Sequence, residues 1–429
     1  MEYILISISL LVGVGIVSQW LAWRYQIPAI IVMTVAGVLA GPIFGLFEPR
    51  ELLGNLYSPI ISFAVAIILF EGSLGLHFSE INQFRRSIVR IVTAGVTLSF
   101  IGSSLLIQYV GGLHWVVAWT MGALFVVTGP TVVIPLLRQA HLKDRVGAIL
   151  KWEGIIVDPV GALLGLFVIR IGYIVYEGMD LWMQLLFAGA CLVGIGLGYV
   201  FGHVLMGWFV GEKIPRYLRA SVTLTAVLIL FSLSEFLMHE VGLLAVTAMG
   251  MTMANTKLRD EQIIEELQSF KEDISILLIS SVFILLTASL SREELVNIFQ
   301  WPLLLTIAGI LFLVRPLAIY VSTLGVGLPL RERGFIGWIA PRGIVAMTVA
   351  GFFAEEVAGL GIEDASQMLP LTIGLVFTSV TLHGLTIRPL ARKLNLIDYK
   401  KERKRTNEDK SGRDDTVPIF VRSQPFSYD

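Results

Sequence analysis

Charge is what this chain has least of. Of its 429 residues 15% are Asp, Glu, Lys or Arg and 55% are hydrophobic. Soluble domains carry about a quarter of their residues as charge, so a mean hydropathy of +0.78 excludes one. A net charge of −1 offers no basic field, and no nucleic-acid partner is expected. A single cysteine, Cys191, excludes an internal disulfide and a thiolate metal cage; within its apolar run it reads as a small packing residue. Ten-residue segments of alternating hydropathy are missing, which excludes a membrane β-barrel. There is no Gly-rich loop ending in Lys-Ser/Thr, so ATP-driven transport has no support. His239-Glu240-Val241-Gly242-Leu243 begins like a zinc-protease helix but lacks the second histidine. The first segment, Tyr3 to about Leu21, lacks the basic start of a signal peptide and runs into another apolar stretch, so it reads as a membrane helix.

What is there is a series of apolar runs of about 20 residues, the length that spans a bilayer as helix. The expected architecture is all-α and polytopic, with about 13 transmembrane helices at 3–23, 27–47, 58–78, 88–109, 114–137, 146–171, 181–210, 217–238, 241–256, 274–290, 299–325, 334–353 and 369–390. Odd-numbered spans are followed by basic loops, such as Arg85, Arg86 and Arg90, or Arg138, Lys143 and Arg145. Even-numbered spans end in neutral or acidic ones, most clearly Glu355, Glu356, Glu363 and Asp364. Basic residues stay on the cytosolic side, which puts the N-terminus outside and the C-terminus in the cytosol of a cell inner or plasma membrane. Spans 1–6 and 8–13 then form two six-helix units of inverted topology, an arrangement common in secondary transporters.

Two spans are interrupted near their middles. Span five contains Val127-Thr128-Gly129-Pro130-Thr131, and span twelve contains Ala340-Pro341-Arg342-Gly343. Gly and Pro free backbone groups at mid-membrane depth, where lipid cannot satisfy them, so each break must face protein or a watery cavity. One such break alone is an ordinary proline kink. Two at the fifth position of each unit point to a transport site built on crossed broken helices.

Five ionisable residues fall well inside spans: Glu71, Glu153, Asp158, Arg315 and Arg342. Each costs about 2.5–3.5 kcal/mol at a helix centre and so needs a partner or a function. Lys151, Arg170 and Glu235 lie nearer span ends and can snorkel. Glu153 and Asp158 are five residues apart on span six, which turns them about 140° from one another, so they serve different surroundings. Asp158 shares its face with Gly154 and Ala162, and Pro159 follows it. Small neighbours leave room for an ion or water, so Asp158 is expected to carry either a proton or a cation. Glu153 reads as a structural partner of Arg315 or Arg342. Three acids against two arginines leave one acid over. If proton and cation compete for one carboxylate and its empty form cannot cross, exchange is obligatory at one cation per proton.

These residues resemble the sodium/proton exchanger family in its electroneutral NhaP-like branch, over nearly all of residues 1–395. The likeness is carried by Phe70-Glu71-Gly72-Ser73, Thr128-Gly129-Pro130-Thr131, Glu153 through Pro159, Arg315 and Pro341-Arg342-Gly343. It implies a 13-helix inverted repeat, elevator-like movement of a core and a homodimer. It further implies that Asp158 and Thr128 hold the transported Na+ or K+, that Glu71 lies near the access path, that Glu153 pairs with Arg315, and that Arg342 is important. No cofactor beyond the transported cation is expected. The chain departs from the branch at Val157 (commonly Asn), Gly154 (commonly Ser) and Gly129 (often Asp). Each change removes a polar group, and both Na+ and K+ stay open.

The expected activity is thus Na+/H+ or K+/H+ antiport, not enzyme catalysis. The alternative is a cation channel using the same charges, although no repeated carbonyl-rich filter is present. An intramembrane aspartyl protease would need two acids converging on one pocket, which the Glu153/Asp158 spacing opposes. Gly194, Gly196, Gly198 and Gly202 on span seven suit either a dimer surface or packing within the chain. Residues 257–273 place Ile263, Ile264, Leu267 and Phe270 on one face and read as a short interfacial helix. Residues 396–429 read as a polar, disordered cytosolic tail, too short for the soluble sensing domain that some relatives carry.

Overall fold

The computed structural model describes residues 2–25, 29–76, 78–129, 132–133, 136–137, 140, 142–178, 182–238, 241–256 and 261–398. Pro130 and Thr131 of the first break, the His239-Glu240 pair and the tail from 399 lie outside them.

The described residues are nearly all helical. In chain order the helices are α1 Glu2–Tyr25, α2 Ala29–Val38, α3 Pro49–Leu53, α4 Tyr57–Leu74, α5 Phe78–Arg90, α6 Val96–Tyr109, α7 Trp115–Leu124, α8 Asp144–Glu177 and α9 Trp182–Val210. They continue as α10 Arg216–Leu237, α11 Val241–Asn255, α12 Glu261–Ala288, α13 Arg292–Asn297, α14 Trp301–Gly309, α15 Arg315–Ser322, α16 Leu330–Trp338, α17 Ile344–Gly359 and α18 Met368–Lys393. Among the described residues seven helical stretches are long and apolar enough to cross a membrane. Shorter apolar helices such as Trp115–Leu124 and Val241–Asn255 lie between them. This is a multi-pass membrane protein.

Two helices form the interior. The apolar window of α8 is 61% buried and that of the stretch ending in α18 is 67% buried, whereas that of α9 is 22% buried. The outer helices turn Trp20, Leu192, Phe236 and Leu317 outward, as lipid requires. α8 runs unbroken through Pro159, although that ring removes one helix hydrogen bond. Short π-helical turns interrupt two spans, at Ile91–Gly95 between α5 and α6 and at Ile310–Val314 between α14 and α15. The second ends where Arg315 begins.

The two interruptions read from the sequence are real breaks. After α7 the chain is non-helical through Val127, Thr128 and Gly129, and the Gly129 carbonyl accepts the amides of Val132 and Val133 as helix resumes. After α16, Ile339 is extended (φ −83°, ψ 105°) and helix restarts beyond Gly343.

One minor expectation is corrected, and one of two alternatives gains support. Residues from Glu261 do not form a separate interfacial helix; they continue into span ten as the single α12, with Ile263 buried. Three of the four span-seven glycines serve packing within the chain, whereas a Cβ on Gly196 would meet nothing within 4 Å. A Cβ on Gly194 would come within 2.4 Å of Val241, one on Gly198 within 2.2 Å of the Ala245 carbonyl, and one on Gly202 within 2.7 Å of the Met249 carbonyl. They let α9 lie against α11 of the same chain, because close backbone approach is what small residues allow.

Similar contact seats α11 on α4. A Cβ on Gly250 would fall 2.0 Å from Ser73 Oγ and 2.8 Å from the Phe70 carbonyl. Gly250→Ala must therefore push the helices apart, and a loss of about 1–3 kcal/mol is expected, as for overpacked cores. Gly147 on α8 has nothing within 4 Å of its Cβ position, and Gly147→Ala should stabilise by about 0.5–1 kcal/mol through helix propensity. Thermal unfolding of the two purified variants checks the opposite signs.

Candidate functional site

Helix α8 brings Asp158 against the first break. A Cβ on Gly154 would lie 3.1 Å from the Thr128 carbonyl, and one on Gly161 would lie 2.3 Å from Val127 and 3.0 Å from the Ala123 carbonyl. Residues three and four apart share a helix face, so Asp158, four after Gly154 and three before Gly161, lies on the face that carries the break. Asp158 is fully buried and Thr128 nearly so. Thr128 Oγ1 has no hydrogen-bond partner among the described residues. The Thr128 carbonyl oxygen borders the room beside Gly154. Gly154 thus brings a carbonyl close to the carboxylate's helix. Val157 packs with Val96 and Val126, giving the site one dry wall where a polar residue is common in the resembling branch.

Arg342 joins the two breaks. It is 1% exposed, and its Nη1 donates to the Val127 carbonyl at 3.0 Å. Its own backbone N–H donates to Ser379 Oγ on α18 at 3.1 Å. Each break strands the last carbonyls of a helix, and these carry partial negative charge. A guanidinium there supplies donors and charge together.

Arg315 serves the other break in the same manner. Its Nη2 donates to the Ile336 carbonyl in the last turn of α16 at 3.3 Å. It also forks onto Glu153, with Nη2 donating to Oε2 at 2.8 Å and Nη1 to Oε1. Both side chains are buried. Glu153 thus meets Arg315 and not Arg342, on a different side of α8 from Asp158, as the helix rotation requires. No group of three or more His, Cys, Asp or Glu side chains suited to a metal occurs among the described residues.

Glu71 stands apart from this core. It is half-buried on α4, one residue before Gly72 and near the cap where Lys151 Nζ donates to the Gly75 carbonyl at 2.6 Å. Lys151 therefore ties α8 to α4 and does not snorkel. Arg170 lies over the Phe187 ring at 5.3 Å, and Glu235 accepts the Gly242 amide at 3.3 Å. With Glu71 half-exposed, the buried site holds two acids and two arginines (Glu153, Asp158, Arg315 and Arg342). The surplus acid counted from the sequence is not in the buried core.

Sequence reasoning missed Ser379 and His383. Both are buried on α18 and face the second break. A histidine inside an apolar span was the available signal.

The transmembrane sodium/hydrogen exchanger family model matches residues 6–393. The chain is 26% identical over 430 residues to the K(+)/H(+) antiporter NhaP of Alkalimonas amylolytica, covering 97% of this chain and 69% of that protein. It is 26% identical to the K(+)/H(+) antiporter NhaP2 of Shewanella oneidensis, covering 90% and 66%. It is 23% identical to the Na(+)/H(+) antiporter 1 of Methanocaldococcus jannaschii, covering 89% of each. The chain spans about two thirds of the length of the two K(+)/H(+) relatives. Its fold is similar to the solved sodium proton antiporter MjNhaP1 of M. jannaschii, with a TM-score of 0.75 at 21% identity over 92% of this chain and 99% of that one.

Proposed function

Because the chain belongs to the transmembrane sodium/hydrogen exchanger family, we propose that it exchanges Na+ or K+ for H+, with Asp158 carrying either in turn. The observation that carries this reading is the seating of Asp158's helix face against the unwound Thr128 segment, which Arg342 holds from the other break. Oxygen ligands suit hard cations, and Thr128 and the Asp158 carboxylate supply them. Glu153 is committed to Arg315, and Asp158 is the carboxylate assigned the exchange. The proton-loaded and cation-loaded forms then bear equal charge, so each cycle moves no net charge. Glu71 is assigned to the access path on the strength of its half-buried place on α4. The same reading includes the inverted repeat, a homodimer, an inner or plasma membrane, and an N-terminus outside with the C-terminus in the cytosol.

Proteoliposomes holding an internal pH dye test the proposal. External Na+ or K+ should drive proton efflux at a rate indifferent to an imposed membrane potential. The cation with the lower half-saturating concentration names the ion, since relatives are named for each. A conductive cation current, with protons merely following the potential, would establish the channel alternative. If neither cation moves protons, antiport is wrong.

A further inference from the structure

Helix α4 packs on α10, α11 and α12, whereas α8 packs on α5, α7 and α17. The two helices belong to different groups, and they are joined at the end of α4. There Lys151 Nζ donates to the Gly75 carbonyl at 2.6 Å. A helix end leaves such carbonyls without an internal partner, and an ammonium suits their partial negative charge. Trp152, the next residue on α8, is fully buried. It stacks on Phe78, with ring centroids 6.0 Å apart and planes at 24°. Phe78 opens α5, so two consecutive residues of α8 grip the connection that leaves α4. Asn255, at the end of α11, holds the same connection for the other group. Its Nδ2 donates to the Leu76 carbonyl and its Oδ1 accepts the Phe78 amide, each at 2.7 Å. At the opposite end of α4 the groups are parted. A cavity of about 570 Å³ lies between Tyr57 and Ile61 of α4, Leu286 of α12, Gly351 and Glu355 of α17, and Leu369 of α18.

We propose that Lys151 is a positioning residue of the exchange cycle: its ammonium clamps α8 to the end of α4 in the arrangement that opens the cavity at the far end of α4. A carrier exposes its site to one side at a time. Closing the cavity brings α17 towards Tyr57, and α8, which packs on α17, then tilts away from Gly75 and breaks the Lys151 bond. Lys151 lies seven residues before Asp158 on the unbroken α8, two turns along one face. What moves Lys151 therefore moves Asp158. The bond holds the carboxylate in one orientation, and its loss favours the other. The inference rests on the antiport reading for its consequence and on the Lys151 geometry for its premise, and the two are tested separately.

The premise is tested by a reversible cross-link. Gly75→Cys and Lys151→Cys are combined with Cys191→Ala, which removes the sole natural cysteine. A Cβ on Gly75 stands 3.7 Å from Lys151 Cε, so a short bifunctional thiol reagent should bridge the pair. In proteoliposomes the bridge should lower cation-driven proton flux at least about tenfold, because a carrier held in one arrangement cannot complete its cycle, and a reductant should restore it. No bridge overturns the clamp whether or not the protein transports. A complete bridge with unchanged flux also overturns it. The consequence is tested at the cavity. Gly351 lines it, and a Cβ there would meet nothing within 4 Å, so Gly351→Cys in the Cys191→Ala protein reports whether the cavity is open. Lys151→Met should slow its reaction with a membrane-impermeant thiol reagent at least about threefold, as the population shifts away from the clamped arrangement. Lys151→Arg keeps a charged donor and should stay within about twofold. A purely structural lysine would lower protein yield or unfolding temperature and leave the reporter unmoved. Equal reporter rates with Met and with the natural lysine overturn the proposal, and that comparison stands even if Arg does not fold. A bridge that forms in a protein whose uncross-linked and wild-type forms show no cation-driven flux overturns the antiport reading and, with it, the transport role given to Lys151.

Discussion

Asp158→Asn should abolish cation-driven proton flux, lowering it at least about 100-fold. The amide keeps the shape of the carboxylate but neither gains nor releases a proton in the physiological range. It also loses the full charge that draws a bare cation from water. Asp158 is fully buried on the face of α8 that meets the Thr128 segment, so bulk water cannot supply a substitute base. The variant should fold, because replacing a buried ionised group by a neutral isostere removes a desolvation burden. Its unfolding temperature is the control that separates lost transport from lost structure. Asp158→Glu should keep some exchange at weakened cation affinity, since the carboxylate survives but its oxygens move by about a bond length. Flux in Asp158→Asn above a tenth of wild type would show that another group carries the proton.

Breaking the Glu153–Arg315 pair should give the largest loss of stability. Both partners are buried and joined through two hydrogen bonds. Glu153→Leu or Arg315→Met alone leaves the other charge buried and uncompensated, a loss of about 3–5 kcal/mol. The double variant should recover most of it, because a buried ion pair is often replaceable by apolar side chains of similar volume. Recovery should be incomplete by about 1–3 kcal/mol, as the Ile336 carbonyl loses the donor that Arg315 supplies. Unfolding of the four proteins in detergent forms a double-mutant cycle. Two single variants within about 1 kcal/mol of wild type would mean that water reaches the pair and that its burial does not matter.

Much of the fold was legible along the chain. Span boundaries such as 217–238 and 369–390 lie within a few residues of α10 and α18. Lipid exclusion acts on local composition, so a run of apolar residues announces itself. The breaks at Val127–Gly129 and Ala340–Gly343 were legible for a related reason: Gly beside Pro weakens a helix locally, although a single proline such as Pro159 leaves α8 unbroken. The interfacial helix failed because charge marks where a chain leaves the hydrocarbon, not where a helix ends; α12 runs through that boundary.

The sequence by itself determined a multi-pass helical membrane protein with two interrupted helices and a small set of charges held inside. Composition and breaker residues are local properties, and the bilayer acts on them one segment at a time. The resemblance paired Glu153 with Arg315; only the tertiary structure showed that Arg342 reaches across to the carbonyl of Val127 and that Ser379 of α18 takes the Arg342 amide. Glu153 and Arg315 are 162 residues apart, and Arg342 and Val127 are 215 apart. Partners at such separations are chosen by how whole helices pack and by the need of every buried donor and acceptor for a counterpart, which no local pattern records.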